Sequence, residues 1–402
     1  MTIERPAERL PGPGAVLRDF GGLYAINAFV GFLFAATGPV AIILTVGARG
    51  GLSEADLASW IFGSFFLNGL ITIVFCAVYR QPLVFFWSIP GTVLIGPALD
   101  HLSFAEVICA YYATGLLMLV LGLTGLVRRC MDAVPMPIVM GMVAGVFLQF
   151  GLDLVLAFRD GLWIALPMTL VFLGLSAVAR LGRIVPPLIG ALLAGAAAIA
   201  ATGGPDLLPA APAVLVEPIF YRPAFSWQAM VELVIPLAIT VLVVQNGQGT
   251  AVLSAAGHRA PVNAIAAACG AGSIVSAVVG SVSTCLTGPV NAIISGSGEK
   301  HRQYTAGIAV GVFGILFGLM APLFTQMLLA APAAFVATLA GLAMLRVLQS
   351  AFSIAFQGRF SLGALIAFLV TVADVSIFNI GAPFWGLVIG FAVSWILERR
   401  AD

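Results

Sequence analysis

Lysine occurs once in the 402 residues, at Lys300, and only 9% of the chain is charged. An ordinary soluble domain carries about 25%. Lys300 follows Glu299 and not glycine, so no phosphate-cradling G-x-x-x-x-G-K loop exists. Histidine is scarce too. His101, His258 and His301 fall in loops without ligand spacing, and neither a metal site nor a nucleophile–base pair can be built from them. The five cysteines, Cys76, Cys109, Cys130, Cys269 and Cys285, form no C-x-x-C and read as small core residues. A net charge of +1 gives no footing for a nucleic-acid partner. No cofactor, metal or enzymatic activity is expected. The charged, proline-rich N-terminus contains no signal-peptide pattern.

What the chain has in excess is apolar surface: 61% hydrophobic residues and a mean hydropathy of +1.11. It reads as an all-α polytopic membrane protein. At about 20 apolar residues per span, fourteen segments are expected, at 22–47, 57–79, 83–99, 104–127, 135–158, 161–179, 184–202, 231–255, 262–280, 282–296, 304–321, 332–356, 360–380 and 383–397. A tail, 1–21, precedes them. The Pro/Ala-rich linker 203–230 divides them into two sevens, 22–202 and 231–397. Fourteen Lys and Arg residues fall in loops on the N-terminal side, against Arg49, Arg159 and Arg222 on the other. That bias puts both termini in the cytoplasm of a bacterial-type inner membrane. An odd number of spans per half makes the halves run in opposite senses. Val143-Ala144-Gly145 aligns with Leu339-Ala340-Gly341 at an offset of 196, and Pro90 with Pro289 at 199, as an inverted repeat would.

Segments three and ten are interrupted. LVFFWSIPGTVLIGPAL, 83–99, breaks at Pro90-Gly91, and SVSTCLTGPVNAIISGSG, 281–298, breaks at Gly288-Pro289. Each is expected to be a short extended stretch leading into a half-helix, with the proline in the first turn, where its missing N–H costs nothing. Two interrupted segments in corresponding halves point to a transporter's binding site. The half-helix N-termini would face each other near the midplane. Each carries unpaired N–H groups and about half a positive charge, a site for an anion such as a carboxylate. The candidate residues are Ser88, Pro90, Gly91 and Thr92 in segment three and Thr287, Gly288, Pro289 and Asn291 in segment ten. Segment one adds Phe34 and Thr37, segment eight adds Gln245, Asn246 and Gln248, and Trp87 and Phe86 join Phe34 as aromatic lining. The polar members could equally satisfy the broken helices' own backbone. Among ionisable residues, Asp153 aligns opposite Gln349, one turn from Arg346, and an Asp153–Arg346 ion pair is expected. Asp374 has no evident partner and suits proton carrying, with Asp153 the second candidate.

Three runs carry a family resemblance: TVLVVQNGQGTAVLSAAGHRAP, NIGAPFWGLVIG and DAVPMPIVMGMVAGVFLQFGLD. They resemble the BenE family of benzoate/proton symporters. The resemblance implies the fold shared with uracil-permease and nucleobase–ascorbate transporters: a core domain (22–127 plus 231–321) moving against a gate domain (135–202 plus 332–397), often in a homodimer. It further implies that Gln245 and Asn246 face the substrate. The function expected is proton-coupled uptake of an aromatic carboxylate such as benzoate. The alternative is a nucleobase or a small inorganic or carboxylic anion on the same fold.

Overall fold

The computed structural model describes residues 3–6, 9–133, 135–178, 182, 185–202, 213–296, 298–375, 377–378 and 381–398. Arg180, Arg183, Arg399 and Arg400 of the basic set, Asn379 of the C-terminal motif, 203–212 of the linker and the side chain of Cys130 lie outside them.

Long apolar runs fold as helices because, in lipid, every backbone polar group must be satisfied within the protein. Among the described residues, seven helices are long and apolar enough to cross a membrane: Gly22–Arg49, Glu54–Tyr79, Phe104–Thr124, Met136–Asp160, Trp227–Ala255, Lys300–Leu319 and Ala333–Ala355. Shorter apolar helices include Leu162–Ala177, Pro187–Ala201, Val262–Ala277, Ser361–Ala373 and Ala382–Leu397. The chain is a multi-pass membrane protein. Where 304–321 was expected as one segment, Gln303–Leu319 is followed by a separate helix, Ala321–Ala330. Three of the long helices are irregular. Gly22–Arg49 breaks at Thr37, which has φ −100 and ψ −101 ahead of Pro39. Glu54–Tyr79 and Trp227–Ala255 contain π-helical turns at Gly63–Leu67 and Thr240–Gln245.

The two interrupted segments meet. β1 (Phe85–Trp87) pairs antiparallel with β2 (Thr284–Leu286), matching Phe85 to Leu286, Phe86 to Cys285 and Trp87 to Thr284. All six residues are buried. Flanking bonds are reciprocal: Ser88 N–H donates to the Ser283 carbonyl at 2.9 Å and Thr287 N–H to that of Val84 at 3.0 Å. The outer strand edges, which could not stay unpaired in an apolar interior, are closed by side chains. Phe85 N–H donates to Thr72 Oγ1 (2.8 Å), Thr284 N–H to Ser273 Oγ (3.0 Å) and Leu286 N–H to Asn246 Oδ1 (2.8 Å). Each strand then turns into a half-helix, Ile89–Ala98 or Gly288–Ser295, with Pro90 or Pro289 in its first turn.

Small residues bring the helices into close contact. Gly141 abuts the Ala364 backbone, Gly311 the Gly69 carbonyl and Gly318 the Phe66 backbone. Gly341 lies against Phe150 and Leu154, joining helix 333–355 to helix 136–160.

Candidate functional site

A cavity of about 780 Å³ opens where both strand–helix junctions converge. That is within the range of small-molecule sites, about 300–1,000 Å³. Trp87, Ile89 and Pro90 contribute from one junction, Thr287 and Pro289 from the other. Phe34 comes from the end of the first half of helix 22–49. Val244 and Gln245, at the end of the π-turn, and Gly247, Gln248 and Ala251, on the helix that continues from it, form one side. Met136, Met140, Val143 and Phe147, spaced at helical period, supply the facing wall. So do Leu342, Ala343, Arg346, Val347, Ser350 and Ile354 from helix 333–355.

The fourteen sequence candidates therefore fall into two groups. Phe34, Trp87, Pro90, Gln245, Gln248, Thr287 and Pro289 line the cavity. Thr37, Ser88, Gly91, Thr92, Asn246, Gly288 and Asn291 are not on its wall; they shape it from behind. Ser88 caps the first half-helix, its Oγ accepting from Gly91 N–H at 3.1 Å, while Thr92 Oγ1 donates to the Ser88 carbonyl. Thr37 Oγ1 donates to the Leu33 carbonyl, closing the end of its own broken helix. Asn291 Oδ1 accepts from Val84 N–H at 3.0 Å. Asn246, expected at the substrate, is 4% exposed and has turned the other way, onto the β2 backbone and the Cys269 thiol. Gly288 has Gln248 directly above it: a Cβ there would come within 2.7 Å of the carboxamide. Phe86 is also withdrawn from the cavity, into an aromatic cluster with Phe65 (ring centroids 5.1 Å apart).

Unused hydrogen-bonding capacity is concentrated on the cavity side. The second half-helix has no side-chain cap, because Thr287 makes no capping bond. Its first-turn N–H groups have no intrahelical acceptor. Trp87 is 3% exposed, and its indole Nε1–H has no acceptor among the described residues. The Gln245 and Gln248 carboxamides make no hydrogen bond among the described residues. A buried donor left unpaired costs about 1–3 kcal/mol, so the Trp87 indole is poised for a polar ligand, with the exposed Gln248 carboxamide and the half-buried Thr287 beside it.

The expected Asp153–Arg346 ion pair is not formed. Each bonds along its own helix instead: Gln149 Nε2 donates to Asp153 at 2.7 Å, and Arg346 donates to Gln349 Oε1 at 3.2 Å. The two face different spaces. Arg346 lines the large cavity, whereas Asp153 lines a second one of about 260 Å³ together with Asp374 and Arg49. Arg49 pairs with Asp100 at 3.2 Å. Near it, His101 Nε2 lies 2.9 Å from Glu232, whose carboxylate also accepts from Gly381 N–H. Sequence reading placed Arg346 off the site. The signal that could have found it is the i, i+4, i+8 spacing of Leu342, Arg346 and Ser350.

Two buried strands, each leading into a half-helix, form the kind of interrupted segments that transporters use at their binding sites. Over 92% of this chain and 96% of the other, the structure superposes on the transmembrane domain of a cyanobacterium bicarbonate transporter, BicA, with a TM-score of 0.60 at 14% identity. The murine Slc26a9 anion transporter in the inward-facing state gives a TM-score of 0.61 at 13% identity, over 98% and 73% of the two chains. At such identities the likeness is one of fold.

Residues 23–396 match the BenE family, described as Benzoate membrane transport protein. The chain is 30% identical over 389 residues to the Benzoate membrane transport protein of Acinetobacter baylyi, covering 95% of this chain and 97% of that one. It is likewise 30% identical over 383 residues to Inner membrane protein YdcO of Escherichia coli, covering 94% and 96%. The chain belongs to the BenE family of membrane transport proteins.

Proposed function

We propose that this protein is a secondary active transporter that takes up an aromatic carboxylate, benzoate-like, together with protons across the inner membrane. The observation that carries this reading is the convergence of both strand–helix junctions on one aromatic-lined cavity. The carboxylate binds at the N-terminus of half-helix Gly288–Ser295, where the Thr287 hydroxyl, the Trp87 indole N–H and first-turn amides are free to donate. The ring lies against Phe34, Phe147 and the methionines of helix 136–160.

The mechanism is alternating access between two inverted seven-segment repeats. Supporting the repeat, a shift of 199 residues carries the Ser88 N–H to Ser283 carbonyl bond onto the Thr287 N–H to Val84 carbonyl bond (88 to 287, 84 to 283), and the β pairing is centred on Phe86 and Cys285, also 199 apart. Core (22–127, 231–321) and gate (135–202, 332–397) domains then close on either side of the cavity. With the termini cytoplasmic, the cavity opens inward: Met136, Pro186 and Ile354 lie on the side of Arg128 and Arg359. Protons are carried through Asp374 or Asp153, which share the second cavity toward the outer face.

Thermal stability of the purified protein against benzoate, uracil, sulfate and bicarbonate tests this, because a ligand that binds only the folded state raises the melting temperature. Benzoate should raise it, and Thr287→Val should weaken the shift. Stabilisation by uracil or sulfate alone would overturn the carboxylate reading.

A further inference from the structure

Arg346 is the one charged side chain on the wall of the large cavity among the described residues. No acidic group pairs with it among them, and its single hydrogen bond, to Gln349, leaves most of the guanidinium's five N–H donors unused. Arg346 is exposed to the cavity, and a cation that faces an open cavity within a membrane domain marks a ligand pathway. Its backbone sits one turn beyond Ala343, whose methyl packs against Gly38 at the break of helix 22–49. The guanidinium thus enters the cavity from the wall that moves relative to the half-helices in the proposed cycle.

We infer that Arg346 supplies the formal positive charge for the substrate's carboxylate and makes the cavity select a monoanion over neutral ring compounds. This rests on the aromatic-carboxylate reading above. The half-helix N-termini offer partial charges fixed in one domain; Arg346 offers a full, bidentate-capable charge on the other. A carboxylate bridging the two is held in the closed cavity. Once the walls part, it stays with Arg346 on the side leading to Ser350 and Ile354. A polar neutral ligand can use the Trp87, Gln245 and Gln248 groups but gains nothing from the guanidinium.

The test is equilibrium binding of benzoate and of benzamide, its neutral analogue, to the purified full-length wild type, Arg346→Lys and Arg346→Gln at low and high NaCl. Charge-assisted hydrogen bonds contribute about 1.5–3 kcal/mol, so Arg346→Gln should weaken benzoate binding roughly 10- to 100-fold. Benzamide binding should be unchanged, and Arg346→Lys should fall between. Wild-type benzoate affinity should decline with salt, and Arg346→Gln should lose most of that slope. The wild-type slope and the benzoate/benzamide ratio need no variant, so a misfolded Arg346→Gln would not shield the inference. Wild type that binds benzoate and benzamide alike, or without salt dependence, overturns the role of Arg346 while leaving the carboxylate site standing. A wild type that binds no aromatic carboxylate removes the underlying reading and this inference with it.

Discussion

Gly38 offers the sharpest test of the packing that separates the two walls. A Cβ built there lies 2.2 Å from the Ala343 Cβ, whereas carbon atoms in contact prefer about 3.5–4.0 Å. Gly38→Ala cannot be relieved by rotating a side chain, because both groups are methyls on helices. Overpacking of this kind costs about 1–3 kcal/mol. The clash exists only in the arrangement that apposes helix 38–49 to helix 333–355. At about tenfold per 1.4 kcal/mol, the variant should shift the conformational population away from this arrangement by roughly 5- to 150-fold. Uptake into proteoliposomes should slow accordingly. Ala343→Gly in the same chain removes the offending methyl. The nearest remaining neighbours are then the Leu339 carbonyl oxygen at 3.4 Å and the residue-343 Cα at 3.6 Å, ordinary contact distances. The double variant should therefore regain most of the rate, although Ala343→Gly alone loses about 1 kcal/mol of helix stability. A Gly38→Ala protein that transports at the wild-type rate, or a double variant no faster than the single, would refute the reasoning.

Further expectations separate support from contact. Asn246→Ala orphans the Leu286 N–H and should lower the melting temperature by the equivalent of about 1–3 kcal/mol. Gln245→Ala, on the cavity wall, should weaken benzoate binding and leave the melting temperature of the free protein nearly unchanged; the reverse pattern would exchange their roles. Trp87→Phe keeps the ring and removes only the indole N–H, and should weaken binding of benzoate about tenfold if that donor reaches the carboxylate, at roughly 1.4 kcal/mol per tenfold; unchanged affinity would place it elsewhere. His258, in the loop after helix 246–255, is held below the ordinary imidazole range by burial and by the Lys300 charge, against the opposing pull of the Gln303 bond. A depressed pKa contributes stability above the unfolded value and loses it as pH falls through the folded one. Stability should thus fall from about pH 6.5 downward, and less so in His258→Gln; equal slopes in melting temperature between pH 7.5 and 5 would deny it.

Much of the fold could be read from residues whose effect is local. Pro90 and Pro289 interrupt apolar runs, and each does stand in the first turn of a half-helix preceded by extended chain. The pairing of those extended stretches was not legible, because register depends on which chains meet and not on either one's composition. The hydroxyls and amides at the breaks were ambiguous for a physical reason: a buried backbone edge and an anionic ligand both require the same polar groups. Asn246 and Gln245 are adjacent, yet one braces β2 while the other opens on the cavity. That choice is set by the phase of a helix containing a π-turn, which no propensity signals. Arg346 was misplaced because alignment at an offset near 196 brings it close to Asp153 in height but says nothing of azimuth. The two side chains emerge on different faces of the packed helices, into different cavities.

Internal pH of proteoliposomes on addition of benzoate tests the central claim most directly. Benzoic acid itself crosses lipid, so the measured quantity is the acidification rate above that of protein-free vesicles. Coupled uptake of carboxylate and proton should make that excess rate saturate with benzoate and fall in Thr287→Val. A rate that is linear in benzoate and equal to the protein-free control would contradict benzoate–proton symport through this cavity.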